Sequence, residues 1–199
     1  MIKCLSFDLQ GTLSNSEISN NFWLEILPQK YANKNNINIK EAKNVLKEYF
    51  KEIGIYDIKY YDDKYWSDKL IFNTIFELDS NEIKTRLNIK LLDFINTISL
   101  PKIIISTTTN LFIDYELSVN KRIFEKVYSC VDDFNIGGKS SEIYRKVLEE
   151  ININPEEMLH IGDNYEMDIK NAERVGIRTI LYKNNDNEVI ETIKKYMEV

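Results

Sequence analysis

No apolar run in this chain approaches the roughly 20 residues that a membrane-spanning helix needs, and the N-terminus lacks a signal peptide's extended apolar region. Both absences set the expectation of a soluble, cytoplasmic protein. Positive charge is also in deficit. Twenty-six Lys and Arg face 32 Asp and Glu, giving a net charge of −6, so no global field draws the chain to nucleic acid or to an anionic membrane. A phosphorylated ligand would have to be captured by local features: a lysine, a metal ion or backbone amides. The two cysteines, Cys4 and Cys130, lie inside apolar strand-like runs, which reads as reduced core thiols rather than a disulfide or a metal site. The only histidine, His160, sits beside Ile161 in a strand-like run, so a packing role is expected of it. There is no internal repeat, and only the tract 183–187 reads as low-complexity loop.

What is present starts with Ile2-Lys3-Cys4-Leu5-Ser6-Phe7, which runs into Asp8 before Gly11-Thr12 breaks the extended pattern. An aspartate at the tip of an apolar strand is costly to desolvate unless a cation or hydrogen bonds meet it. From about 15 to 95 the pattern is helical. It has one apolar segment at 20–27 that Pro28 should bend or end, and a second through Ala42, Val45, Leu46, Tyr49, Phe50 and Ile53, stopped by Gly54. A third covers Asp63 to Phe76, and a fourth, capped by Asp79 or Ser80, contains Ile83, Leu87, Leu91, Leu92 and Ile95. Strands and helices then alternate. Strands are expected at 102–106, 128–131, 158–161 and 179–182, and helices at 111–119, 121–127, 141–150, up to Val175, and from Glu188. One strand, a long helical insertion and then alternation predict an α/β fold: a Rossmann-like parallel sheet with helices on both faces, plus an inserted all-helical cap. The expected core is 1–14 with 96–199, and the expected cap is 15–95.

The C-terminal ends of neighbouring parallel strands form one crevice. Just past those ends lie Asp8, Ser106 with Thr107, Lys139 in a Gly-Gly-Lys loop, and Asp163 with Asp168. Carboxylates converging there would repel one another unless a divalent cation sits among them, and hard oxygen ligands suit magnesium. A hydroxyl and an ammonium at the same edge complement phosphoryl oxygens, so the chemistry expected is phosphoryl transfer. Taken singly, Asp163 could merely cap the following helix and Lys139 could be solvated.

With these four segments, Asp8-Leu9-Gln10-Gly11-Thr12, Ile105-Ser106-Thr107, Gly138-Lys139-Ser140 and His160-Ile161-Gly162-Asp163…Asp168, the chain resembles the haloacid dehalogenase-like hydrolase superfamily, in that family's motif order. The resemblance implies Asp8 as nucleophile through an aspartyl-phosphate, and Ser106 (or Thr107) as a hydrogen-bonding partner of the phosphoryl group. Lys139 would neutralise charge, and Asp8, Asp163, Asp168 and the main-chain carbonyl of Gln10 would hold Mg2+. It implies a phosphatase of a small phosphorylated metabolite, with a cap over the site. One position departs from the pattern. Phosphatases of this kind carry an acid/base aspartate where Gln10 stands, and an amide cannot serve as general acid or base. The alternatives are a slower enzyme using activated leaving groups, a non-catalytic or very slow phosphometabolite-binding relative, or a dehalogenase-type hydrolase. Phe22, Trp23, Tyr60, Tyr61, Tyr65 and Trp66 either line the substrate pocket or, for most of them, fill the cap's own core. The row Lys43, Lys47, Lys51 reads as a solvated helix face.

Overall fold

The structure, a computed structural model, describes residues 1–80 and 86–197. Five strands make one all-parallel sheet: β1 Cys4–Phe7, β2 Lys102–Ser106, β3 Lys126–Ser129, β4 Met158–Gly162 and β5 Arg178–Leu181, in the order β3-β2-β1-β4-β5. All four residues of β1 are buried, as expected of a parallel strand covered on both faces. Leu5 and Phe7 point into one cluster with Leu91, Leu92 and Ile95 of α6 (Ile89–Asn96) and Val189 and Ile193 of α10 (Asp186–Met197). Cys4 points the other way, towards Ile143, Tyr144 and Val147 of α8 (Ser141–Ile151). Truncating Phe7 to alanine would cost about 3–5 kcal/mol. Both cysteines are free and buried, and burial pushes each thiol up to about 12. Among the described residues no helix is long and apolar enough to cross a membrane.

The helical segment between β1 and β2 begins with α1 (Glu17–Asn21), a π-turn Phe22–Ile26 and α2 (Leu27–Asn35). Of the two outcomes expected at Pro28, a bend or an end, the run does not end there. Pro28 has no N–H to give, and just ahead of it the ladder has widened, Leu27 N–H reaching back to Phe22 O. The helix α3 (Ile39–Ile53) follows, capped by the Asn38 side chain on the Glu41 amide. The expected helix over 63–76 is two helices, α4 (Asp63–Leu70) and α5 (Thr74–Ser80). Between them Ile71 takes a left-handed φ of 62°, and the Ser67 and Thr74 hydroxyls meet across the break. The fourth expected helix is also corrected. Asp79 and Ser80 fall within α5, Ile83 lies outside the described residues, and α6 starts only after Asn88, whose side chain accepts the Leu91 amide. A helix over 121–127 is not formed. After α7 (Asn110–Leu117) a 3₁₀ segment runs Ser118–Ile123, and Lys126 and Val127 pair with Ile103 and Ile104 as the start of β3.

Candidate active site

Register decides what meets at the sheet's edge. Phe7, the last residue of β1, lies opposite Ile104 of β2 and Ile161 of β4, so the three strands run to one edge, β4 ending one residue and β2 two residues further on. The Asp8 amide donates to Ile161 O at 2.8 Å, extending the ladder by one bond and fixing Asp8 at the rim, only 5% exposed. Lys139 arrives from the opposite side. Gly138, at φ 69°, turns the chain, and Asn171 Nδ2 donates to Lys139 O at 2.7 Å and to Tyr56 Oη at 3.2 Å. The Lys139 ammonium is 2% exposed and contacts Asp8 Oδ1, Asp168 Oδ1 and, at 3.3 Å, Ile105 O at the end of β2.

Past β4 the chain folds into a π-turn, Tyr165–Lys170, continued by the short α9 (Asn171–Glu173). The residue capping it is Asn164, which accepts the Glu166 and Met167 amides, so Asp163 is left free of that duty. Asp168 turns back into the site, its Oδ2 accepting the Asn164 amide at 2.8 Å. Two glycines make room for these carboxylates. A Cβ on Gly11, which sits at φ 90°, would collide with the Asp163 carboxylate, and a Cβ on Gly162 would collide with that of Asp168.

Oxygens of Asp8, Asp163 and Asp168 lie within 4.8 Å of one another. With all three ionised, three carboxylates against one ammonium leave two uncompensated negative charges. The ionisation behaviour reflects that surplus. Burial raises Asp8 well above the usual carboxylate range against the pull of Lys139, and Asp163 is raised by burial and then by Asp168. Asp168 is held well below its usual value because Lys139 and His160 outweigh the burial that would raise it. Burial lowers the Lys139 pKa, but Asp168 and Asp8 overcome this and keep it charged. Oxygen-only donors, this spacing and a charge deficit of two fit a small divalent cation.

Asp8, Lys139, Asp163 and Asp168 are therefore brought together directly. Ser106 ends β2 fully buried, accepting the Thr108 amide at 3.3 Å, and Thr107 is partly exposed just beyond it. Among the described residues neither hydroxyl is hydrogen-bonded to the carboxylates. Gln10 turns its amide nitrogen to Glu116 Oε1 at 2.9 Å. Of the cap aromatics, Phe22 and Trp66 are fully buried in packing, whereas the Tyr61 phenol is raised by burial, then by Tyr60, and feels the charge of Lys139. Lys43 and Lys51 stay at the surface beside Glu25 and Glu48.

Two residues escaped the sequence reading. His160 does more than pack: fully buried, it hydrogen-bonds Ser6 Oγ at 2.9 Å through Nδ1, and meets Tyr144 Oη at 3.1 Å and Asp168 Oδ1 at 3.4 Å through Nε2. Tyr144 gives its own proton to Met167 O, so the imidazole proton belongs on Nε2, facing Tyr144 and Asp168. Burial lowers the pKa of His160, keeping the ring neutral. The other is Glu116, and its signal was an acid at a core-facing position of α7 among Phe112, Ile113 and Leu117.

Comparison with known proteins bears on this geometry. Residues 2–176 match the haloacid dehalogenase-like hydrolase family. No curated protein matches the chain at a significant level. Among solved structures, a HAD phosphatase from Thermococcus onnurineus superposes with a TM-score of 0.76 at 18% identity, covering 92% of this chain and 87% of that one. A 2-haloacid dehalogenase from Pseudomonas syringae pv. Tomato gives 0.67 at 14% identity, covering 98% and 100%. A predicted phosphoglycolate phosphatase from Haemophilus somnus gives 0.58 at 15%, covering 90% and 84%. At these identities the likeness is one of fold.

Proposed function

The chain belongs to the haloacid dehalogenase-like hydrolase family, and from that premise we propose that it is a magnesium-dependent phosphatase of a small phosphorylated metabolite, acting through Asp8. The observation that supports this reading most is the buried Lys139 ammonium on Asp8 and Asp168 with Asp163 alongside. In the first half-reaction an Asp8 oxygen attacks phosphorus, and the bond to the leaving oxygen breaks with its electron pair on that oxygen. Lys139 offsets the charge of the transferring group, and the Ser106 or Thr107 hydroxyl donates to it. Asp8, Asp163, Asp168 and the main-chain carbonyl of Gln10 would hold the ion, which when bound supplies charge neutralisation at the phosphoryl group. The helices from Glu17 to Ser80 would cover the site and exclude water, while α6 packs with the sheet. That reading assigns the last residues of the expected 15–95 cap to the core. Because the Gln10 amide has no titratable proton to transfer, the enzyme suits substrates whose leaving group departs as a stable anion.

The same glutamine favours a second reading, a phosphometabolite-binding relative with little turnover. An aryl phosphate assayed with and without magnesium separates the two. Magnesium-dependent hydrolysis that is abolished in Asp8→Asn and raised in Gln10→Asp supports the enzyme. Tight phosphometabolite binding without turnover supports the binder, and chloride release from a 2-chloro acid would replace both with a dehalogenase.

A further inference from the structure

Gln10 is a held side chain, and what holds it is chemically specific. Its Nε2 donates to Glu116 Oε1 at 2.9 Å, while Ser14 Oγ donates to Glu116 Oε2 at 2.6 Å. Glu116 is 2% exposed on α7, one of the elements packed beside the sheet. With both of its oxygens accepting, the Glu116 carboxylate selects which end of the Gln10 amide faces it. The nitrogen is drawn to α7. The carbonyl oxygen Oε1, to which no described residue donates, is the end left over, two positions along the chain from Asp8. A buried acid of this kind destabilises the fold unless its partners are fixed. Here the partners are Gln10 of the first motif, Ser14 at the start of the segment leading into the helices, and Ser19 of α1.

We propose that Glu116 is a positioning residue that holds Gln10 with its carbonyl oxygen towards the phosphoryl group on Asp8, where that oxygen accepts a hydrogen bond from the attacking water. The inference rests on the aspartyl-phosphate reading above. In the step concerned, the water oxygen bonds to phosphorus and the bond from phosphorus to Asp8 breaks, its electron pair returning to the carboxylate. The water's proton passes to a phosphoryl oxygen. Gln10 orients the water and takes no proton. The preceding phosphorylation of Asp8 by an aryl phosphate needs no such help, because the aryl oxide leaves as an anion.

The two half-reactions therefore respond differently, and rapid mixing of p-nitrophenyl phosphate with the full chain in magnesium resolves them. The burst of nitrophenol reports phosphorylation of Asp8, and the steady rate that follows reports hydrolysis of the phosphoenzyme. Glu116→Gln, which can hold the Gln10 amide either way round, should leave the burst unchanged and slow the steady rate about 10–100-fold. The exchanged pair, Gln10→Glu with Glu116→Gln, restores one donor facing one acceptor and should return the steady rate to at least the wild-type value. A steady rate unchanged in Glu116→Gln, or a burst and steady rate that fall together in a variant melting like wild type, overturns the role of Glu116 and leaves Asp8 as nucleophile. Turnover in the wild-type protein without a burst also overturns it, since hydrolysis of the phosphoenzyme is then not the slow step. A wild-type protein with neither burst nor turnover overturns the aspartyl-phosphate reading and this inference with it.

Discussion

Replacing Gly11 with alanine should do two separable things, and Gly54 supplies the control that separates them. Gly11 sits at φ 90° and Gly54 at φ 78°, ψ 154°, both in backbone regions that side chains rarely adopt. An alanine held there costs about 1–3 kcal/mol, and at about 2–4 °C per kcal/mol for a chain of this size the melting temperature should fall by about 2–12 °C in either variant. Their surroundings differ. Nothing lies within 4 Å of a Cβ on Gly54, whereas a Cβ on Gly11 collides with the Asp163 carboxylate. Gly54→Ala should thus lose stability alone. Gly11→Ala should also displace Asp163 and weaken magnesium binding about 10–100-fold, which is about 1.4–2.7 kcal/mol. Calorimetric titration with magnesium, beside thermal melts with and without the ion, reads both quantities. If Gly11→Ala bound magnesium as wild type does while melting lower, the space around Asp163 would not be what this glycine provides.

Two further outcomes follow from buried charge. Lys139→Met strips the ammonium from Asp8 and Asp168 and should cost about 3–5 kcal/mol in urea unfolding at neutral pH, a loss that shrinks in acid where Asp8 takes a proton; a cost below about 1 kcal/mol would contradict the charge accounting. Asp63, buried at the start of α4, accepts Thr109 Oγ1 at 2.6 Å, and its carboxyl is raised from 3.8 by burial despite that bond. A folded pKa above the unfolded one means that ionisation opposes folding. The penalty is therefore absent below about pH 3.8 and grows as pH rises towards and through the raised value. Asp63→Asn keeps the acceptor for Thr109 and should gain stability over wild type at pH 7 but not near pH 4, measured as urea midpoints; an advantage confined to acid would refute the assignment.

The sheet and much of the charged cluster were readable because β1, β2 and β4 are short, mostly apolar runs, and Asp8 and Asp163 follow directly on β1 and β4. Asp8, Lys139, Asp163 and Asp168 are separated in sequence but brought to one level by strand register. The breaks in the helical segment were less readable. Ile71, a β-branched residue, is the last type expected to stop a helix in a left-handed turn, and a hydroxyl pair across the break decides it. Residues 121–127 have helix-compatible composition, yet pairing with β2 wins once the neighbouring strand is present. Glu116 and His160 could not be assigned partners from sequence, because their contacts with Gln10, Ser14, Ser6 and Asp168 link distant parts of the chain.

At its two glycines the loop bearing Lys139 faces mostly main-chain atoms of the helical segment: a Cβ on Gly137 would strike the backbone of Asp57 and Ile58, and one on Gly138 the carbonyl of Ile55 and, less closely, the Tyr56 ring. A seam built this way distributes evolutionary freedom unevenly. Ile55, Asp57 and Ile58 can exchange their side chains while the surface they offer across the seam stays nearly the same. Residues 137 and 138 have no such latitude. If the helical segment covers the site as proposed, drift in it can thus retune what the protein accepts while the ammonium keeps its place.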